Sequence, residues 1–143
     1  MPRNESEAIL RVIDANLNRL REALRVIEEY FRFINLNKNI SIDLKQLRHS
    51  LEGLEKSFDQ KALLEARDTV TDPFAGKNRE EELSRTNEID IVKASFKRAQ
   101  EAARVLEEYT KITQPQSRSE KAKDIRFMLY KIEKNIMGKI VDE

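Results

Sequence analysis

The chain has 143 residues, 37% of them charged, with three Gly, three Pro and no Cys. That length suits a single domain, and the balance favours long, polar-surfaced helices over a sheet protein. Absence of Cys excludes disulfides, thiolate metal ligands and thiol nucleophiles, and a net charge of +1 excludes a global field that would draw the chain to nucleic acid or membrane.

Leu10, Ile13, Leu17, Leu20, Leu24, Ile27, Phe31 and Ile34 alternate between three and four residues apart, which predicts a first helix over about 6–34, capped by Asn4 or Ser6. NLNKN (35–39) breaks the pattern as a loop. Ser41 then caps a second helix whose apolar stripe is Leu44, Leu47, Leu51, Leu54 and Phe58. KALLEAR (61–67) reads as a short helix, and DTVTDPFAGKNR (68–79), with Pro73 and Gly76, as the clearest loop. Asn87, with Asp90 three residues on, marks the cap of a third long helix carrying Ile89, Val92, Phe96, Ala99, Ala103 and Leu106 inward. After the TQPQS loop, Ser117 or Ser119 opens a last helix with Ile125, Leu129, Ile132 and Ile136 inward.

The chain also repeats itself. EALRVIEEY (22–30) returns as EAARVLEEY (101–109), and LKQLRHSLEGLEK (44–56) aligns with AKDIRFMLYKIEK (122–134). The expected fold is therefore all-α: a four-helix bundle of two duplicated antiparallel helix hairpins, about 6–58 and 87–140, with an approximate internal two-fold. A connector, 59–86, holds a short helix and a loop. Leu20 and Leu24 become Ala99 and Ala103 in the second copy, so the third long helix either approaches a neighbour closely or leaves a pocket.

Charges are duplicated along with the core. Asn16, Arg19, Glu22, Arg25 and Glu28 follow at steps of three, and Ser95, Arg98, Glu101, Arg104 and Glu107 repeat them; Glu29 and Glu108 also correspond. Positions 14, 18 and 21, read as exposed, diverge to Lys93, Lys97 and Gln100, which favours a role for the charges retained. Arg48 and Arg126 are equivalent as well. Three readings stand side by side: a surface ladder of ion pairs, a buried Arg–Glu network, and a phosphate site built on Arg19, Arg48, Arg98 and Arg126 with Glu22 and Glu101. In the connector, Arg67, Asp68, Thr69 and Asp72 suit phosphate and Mg²⁺ chemistry, and equally suit a capped turn. No Gly-rich phosphate loop, zinc motif, EF-hand or basic–aromatic stripe is present, and the single His, His49, suits a helix surface.

DANLNRLREALRVIEEYFRF (14–33), LRHSL (47–51), EARDTVTDP (65–73) and RAQEAARVLEEYTK (98–111) together resemble the small helical domain fused N-terminally to some bacterial thiamine phosphate synthases and found alone in other bacteria. That family is a monofunctional hydroxymethylpyrimidine phosphate kinase. The resemblance implies ATP- and Mg²⁺-dependent phosphorylation of 4-amino-5-hydroxymethyl-2-methylpyrimidine phosphate to the pyrophosphate. It maps family motif positions onto Asn16, Arg19, Glu22 and Arg25; Arg48 and His49; Arg67, Asp68, Thr69 and Asp72; and Arg98, Glu101, Arg104 and Glu108. Ser95 stands where the family often has Asn. With no barrel after residue 143, the stand-alone form is expected. From chemistry, Arg67, Asp68 and Asp72 are assigned to catalysis, Asp68 and Asp72 to metal, and the remaining residues with Arg126 to substrate. Expected partners are the pyrimidine phosphate, thiamine phosphate synthase and, because the first stripe also suits a dimer seam, a second copy; nucleic acid and membrane are not expected. A cytoplasmic location follows from the absence of a signal-like or membrane-length apolar run. Rival readings are a non-catalytic module that partners the synthase and another helical enzyme acting on an anionic metabolite.

Overall fold

The computed structural model describes residues 5–74 and 84–141. Over these residues the protein is all-helical, with no strand. Helix α1 spans Glu5–Glu29 and continues into a π-helical turn, Tyr30–Ile34. Helix α2 spans Lys38–Lys56, the short α3 Gln60–Ala66, α4 Glu88–Tyr109 and α5 Ser117–Val141, with a 3-10 turn at Thr110–Ile112. The expected cap at Asn4 and the loop glycine Gly76 lie outside the described residues, whereas Ser6 falls inside α1, which already begins at Glu5, and so does not cap it. Among the described residues no helix is long and apolar enough to cross a membrane.

The alternating stripe of α1 is buried from Ile13 to Phe31. Beyond Glu29 the hydrogen-bond ladder widens, and the Asn35 N–H donates to the Tyr30 carbonyl five residues back at 2.8 Å. The extra residue in that turn rotates Ile34 off the stripe, so it is 58% exposed rather than inward. The chain leaves the helix through Leu36 at a left-handed φ of 59°. Helix α2 begins three residues before the expected Ser41, because Asn37 takes the cap: its Oδ1 accepts from the Ile40 N–H at 3.1 Å. For α4 the Asn87 cap stands where the sequence placed it, with Oδ1 accepting from the Asp90 N–H at 2.9 Å.

Helix α1 packs on α4, α4 on α5, α5 on α2, and α2 back on α1, around one apolar core that also takes in Leu63 of α3. Neighbours run antiparallel. Arg21 of α1 meets Glu55 of α2 while Glu28 meets Arg48, and Gln100 of α4 meets Glu133 of α5 while Glu107 meets Arg126. The α1–α4 pair is the most extensive. There the second copy is smaller at Ala99 and Ala103 and larger at Phe96, the counterpart of Leu17. All three are fully buried, so the ring volume offsets the lost leucine methyls.

Candidate functional site

Equivalent charges make equivalent contacts in the two hairpins. Glu28 is buried and lies 3.3 Å from Arg48; its counterpart Glu107 is buried and accepts from Arg126 Nε at 2.8 Å. Arg21 reaches Glu55 at 2.7 Å, and Gln100 Nε2 donates to Glu133 at 3.0 Å. Arg48 and Arg126, expected at phosphates, thus aim at glutamates across each hairpin. Burial pushes the Glu107 carboxyl up, but the guanidiniums of Arg126 and Arg104 outweigh it and hold the group below its ordinary value. Glu28 lacks a second arginine, because Arg25 lies 3.9 Å from Glu29 instead, and its Oε2 is buried without a hydrogen bond.

The connector folds back onto α1. Leu63 and Ala66 of α3 are buried, and Arg67 makes a two-pronged bridge to Asp14, with Nε to Oδ2 and Nη2 to Oδ1 both at 2.8 Å. Arg11 Nε donates to the Ala66 carbonyl at 2.6 Å. Asp14 is only 6% exposed, against the solvent position expected for it, because the connector covers that side of α1. Gln100, likewise expected outside, is buried against Glu133.

Past Arg67 the loop is organised by its own acids. Asp68 Oδ1 accepts from the N–H groups of Val70 at 2.9 Å and Thr71 at 2.8 Å, and Oδ2 accepts from the Thr71 hydroxyl. The Thr71 hydroxyl and these N–H groups bring the Asp68 carboxyl down to about 2. Asp72 Oδ1 accepts from the Phe74 N–H at 2.9 Å. The capped-turn reading of this segment is therefore realised, through Thr71 rather than the exposed Thr69. Between loop and helix lies a cavity of about 440 Å³ lined by Arg11, Asp14, Asn18, Arg67, Asp68 and Asp72. Three catalytic candidates converge there, joined by Arg11, Asp14 and Asn18, which the sequence reading left out. The signal for Arg11 and Asp14 was weak because their connector partners, Ala66 and Arg67, lie 55 and 53 residues away.

The other candidates do not gather in that cavity. Arg19, Glu22, Arg25, Arg98, Glu101 and Arg104 are exposed on α1 and α4. Arg104 reaches Glu107 at 3.2 Å and Glu108 at 3.3 Å, so part of the ladder exists. Arg98 donates to the buried Ser95 hydroxyl at 3.1 Å, while Asn16, the counterpart of Ser95, is buried and donates to its own helix at the Val12 carbonyl. Arg19, Glu22 and Glu101 form no ion pair among the described residues. His49 is exposed on α2, 3.5 Å from Glu52, at a groove between α2 and α5. Among the described residues no group of three or more His, Cys, Asp or Glu could hold a metal ion.

An all-helical domain with doubled cross-links, whose connector is pinned by an Arg–Asp bridge, defines the class. The chain belongs to the ThiD2 family, whose profile matches residues 11–135. It is 40% identical over 134 residues to a thiamine-phosphate synthase of Gloeobacter violaceus, covering 94% of this chain and 38% of that protein. A thiamine-phosphate synthase of Nostoc punctiforme is 38% identical over 132 residues, with 92% and 36% covered. One from Parasynechococcus marenigrum is 42% identical over 125 residues, with 87% and 34% covered. The chain thus spans a little over a third of the length of these curated relatives. No solved structure matches it.

Proposed function

We propose that this chain is a phosphotransferase of thiamine biosynthesis that uses Mg²⁺ and ATP to phosphorylate 4-amino-5-hydroxymethyl-2-methylpyrimidine phosphate to the pyrophosphate. Relatives named for thiamine-phosphate synthesis support the pathway. The observation that carries the reaction class is the cavity between α1 and the 67–73 loop, where Arg11 and Arg67 converge with three aspartates, Asp14, Asp68 and Asp72, beside neutral Asn18. The four long helices are read as a duplicated bundle with an internal two-fold, supported by the paired cross-links Glu28–Arg48 and Glu107–Arg126. The expected cytoplasmic location and synthase partnership belong to this same reading.

Joining two anions rests on positioning and charge neutralisation. Arg67 uses Nε and Nη2 on Asp14, leaving Nη1 for a phosphate oxygen. Arg11, beside Arg67 in the lining, supplies further positive charge. The acceptor is a phosphate oxygen already ionised near neutral pH, so no strong base is required. Mg²⁺ is commonly bound by one or two carboxylates with the rest of its shell from phosphates and water, and Asp68 and Asp72 fit that donor set. Bound there, the ion would neutralise phosphate charge. Asp68 already serves its own turn, which makes Asp72 the more available ligand.

The test is ADP release with ATP, Mg²⁺ and the pyrimidine phosphate, in the wild type and in Asp72→Asn and Asp68→Asn. Pyrimidine-dependent turnover that falls at least about 100-fold in Asp72→Asn supports the reading and its site. Turnover that survives both changes moves the site to Arg19 and Arg98. No turnover in folded wild-type protein favours the non-catalytic synthase module instead.

A further inference from the structure

The groove between α4 and α5 is the counterpart, in the second hairpin, of the region that the connector covers in the first. Its lining includes Lys93, Ala94, Lys97, Tyr130, Glu133 and Lys134. The equivalent positions in the first copy are Asp14, Ala15, Asn18, Glu52, Glu55 and Lys56. In the first copy Arg67 sits on Asp14 and α3 covers the helix pair. In the second copy Asp14 has become Lys93, Asn18 has become Lys97, and the acid at 52 has become Tyr130. The groove has changed from acidic to basic.

Its volume is about 480 Å³, within the range of small-molecule sites. Lys93, Lys97 and Lys134 have no ion pair among the described residues. Lys97 stands four residues before Glu101, a spacing at which helical ion pairs form, yet the two do not pair. The one acid of the lining, Glu133, is occupied by Gln100. Tyr130 is 42% exposed and Met137 borders the groove beside it, giving a flat ring and a pliable thioether next to three ammonium groups. Arg126 lies 5.9 Å from the Tyr130 ring, but its charge is taken up by Glu107, so the three lysines carry the groove's positive charge.

We infer that this groove binds a phosphate ester of an aromatic heterocycle, with phosphates on Lys93, Lys97 and Lys134 and the ring against Tyr130 and Met137. Unpaired lysines converging on one groove gain charge-assisted hydrogen bonds from such an anion, and the exposed ring supplies a stacking surface. The inference does not depend on the kinase reading, because it concerns binding without turnover. The groove and the loop-covered cavity lie on opposite flanks of the α1–α4 pair, roughly 20 Å apart for helices about 10 Å across. A ligand held wholly in this groove is therefore too far away to be the second reactant of chemistry in the cavity.

Isothermal titration would use three probes: ATP, the hydroxymethylpyrimidine monophosphate, and inorganic tripolyphosphate. The hosts are the wild type, Lys93→Ala/Lys97→Ala, Tyr130→Phe and Tyr130→Leu, each checked for helicity by circular dichroism, with Arg67→Ala as a control in the other site. Saturable binding of a ring-bearing phosphate, weakened at least about tenfold by the double lysine change and kept by Arg67→Ala, is expected. Tyr130→Phe should preserve it, and Tyr130→Leu should weaken it without changing tripolyphosphate binding. Whether ATP or the pyrimidine phosphate binds more tightly names the source. Absence of binding, binding indifferent to the lysines, or equal affinity for tripolyphosphate and the ring compounds would overturn the inference.

Discussion

Glu28 and Glu107 occupy equivalent buried places with unequal company. Glu28 has Arg48 alone, whereas Glu107 has Arg126 and Arg104. Removing the sole partner of a buried charge costs more than removing one of two. Arg48→Met should therefore destabilise by about 3 kcal/mol, and Arg126→Met by about 1.5 kcal/mol, in urea unfolding at neutral pH. Adding Glu28→Gln should recover much of the first loss; no recovery would show that Arg48 matters through packing alone. Because the folded Glu107 carboxyl is held low, its contribution is present above the ordinary glutamate range and fades as pH falls through the lowered value. The unfolding midpoint of Glu107→Gln should accordingly depend less on pH than that of the wild type between about pH 5 and pH 3. At Asp68 the carboxyl stands at about 2 chiefly because of the Thr71 hydroxyl. Thr71→Val should raise it toward the ordinary aspartate range in an NMR titration, and an unchanged value would assign the effect to the backbone N–H groups.

Elements differ in how much of them the sequence disclosed. The Asn87 cap was legible because a single Asn precedes an acidic first turn. In NLNKN three asparagines compete, and which one caps α2 depends on where the π-helical turn releases the chain. That turn has no sequence mark of its own, since the apolar stripe continues through it to Ile34. Its exit places Leu36, 74% exposed, in the left-handed region that favours glycine. Leu36→Gly should stabilise by about 0.5–1 kcal/mol, the relieved strain exceeding the added chain entropy, as a raised denaturation midpoint would show. At the site, residue types pointed to Arg67, Asp68 and Asp72. They left open whether Arg48 and Arg126 face glutamates or phosphates, because a carboxylate and a phosphate make the same demand on a guanidinium.

On the scale of the whole molecule, both repeated stretches form antiparallel helix pairs, while their differing side chains set the two flanks apart. The first flank is covered by a segment of the chain and the second is left basic. Side-chain volume has been redistributed within the shared core: Phe96 replaces Leu17 where Ala99 and Ala103 replace leucines. Restoring Leu at Ala103 alone should overpack the α1–α4 contact and lower stability by about 1–3 kcal/mol, read by thermal or urea unfolding. Spare space at that contact would show itself as no loss.

Each hairpin finds its most extensive partner in the other, α1 against α4, and the two are joined through the segment after Phe74. The buried contacts require that two such hairpins meet; they do not require that both come from one polypeptide. Two molecules could trade second hairpins and keep every core contact, leaving tether length to decide between a closed monomer and an intertwined pair. Deleting several residues between Phe74 and Ser84 should shift the protein toward exchanged dimers in light scattering, with helicity unchanged.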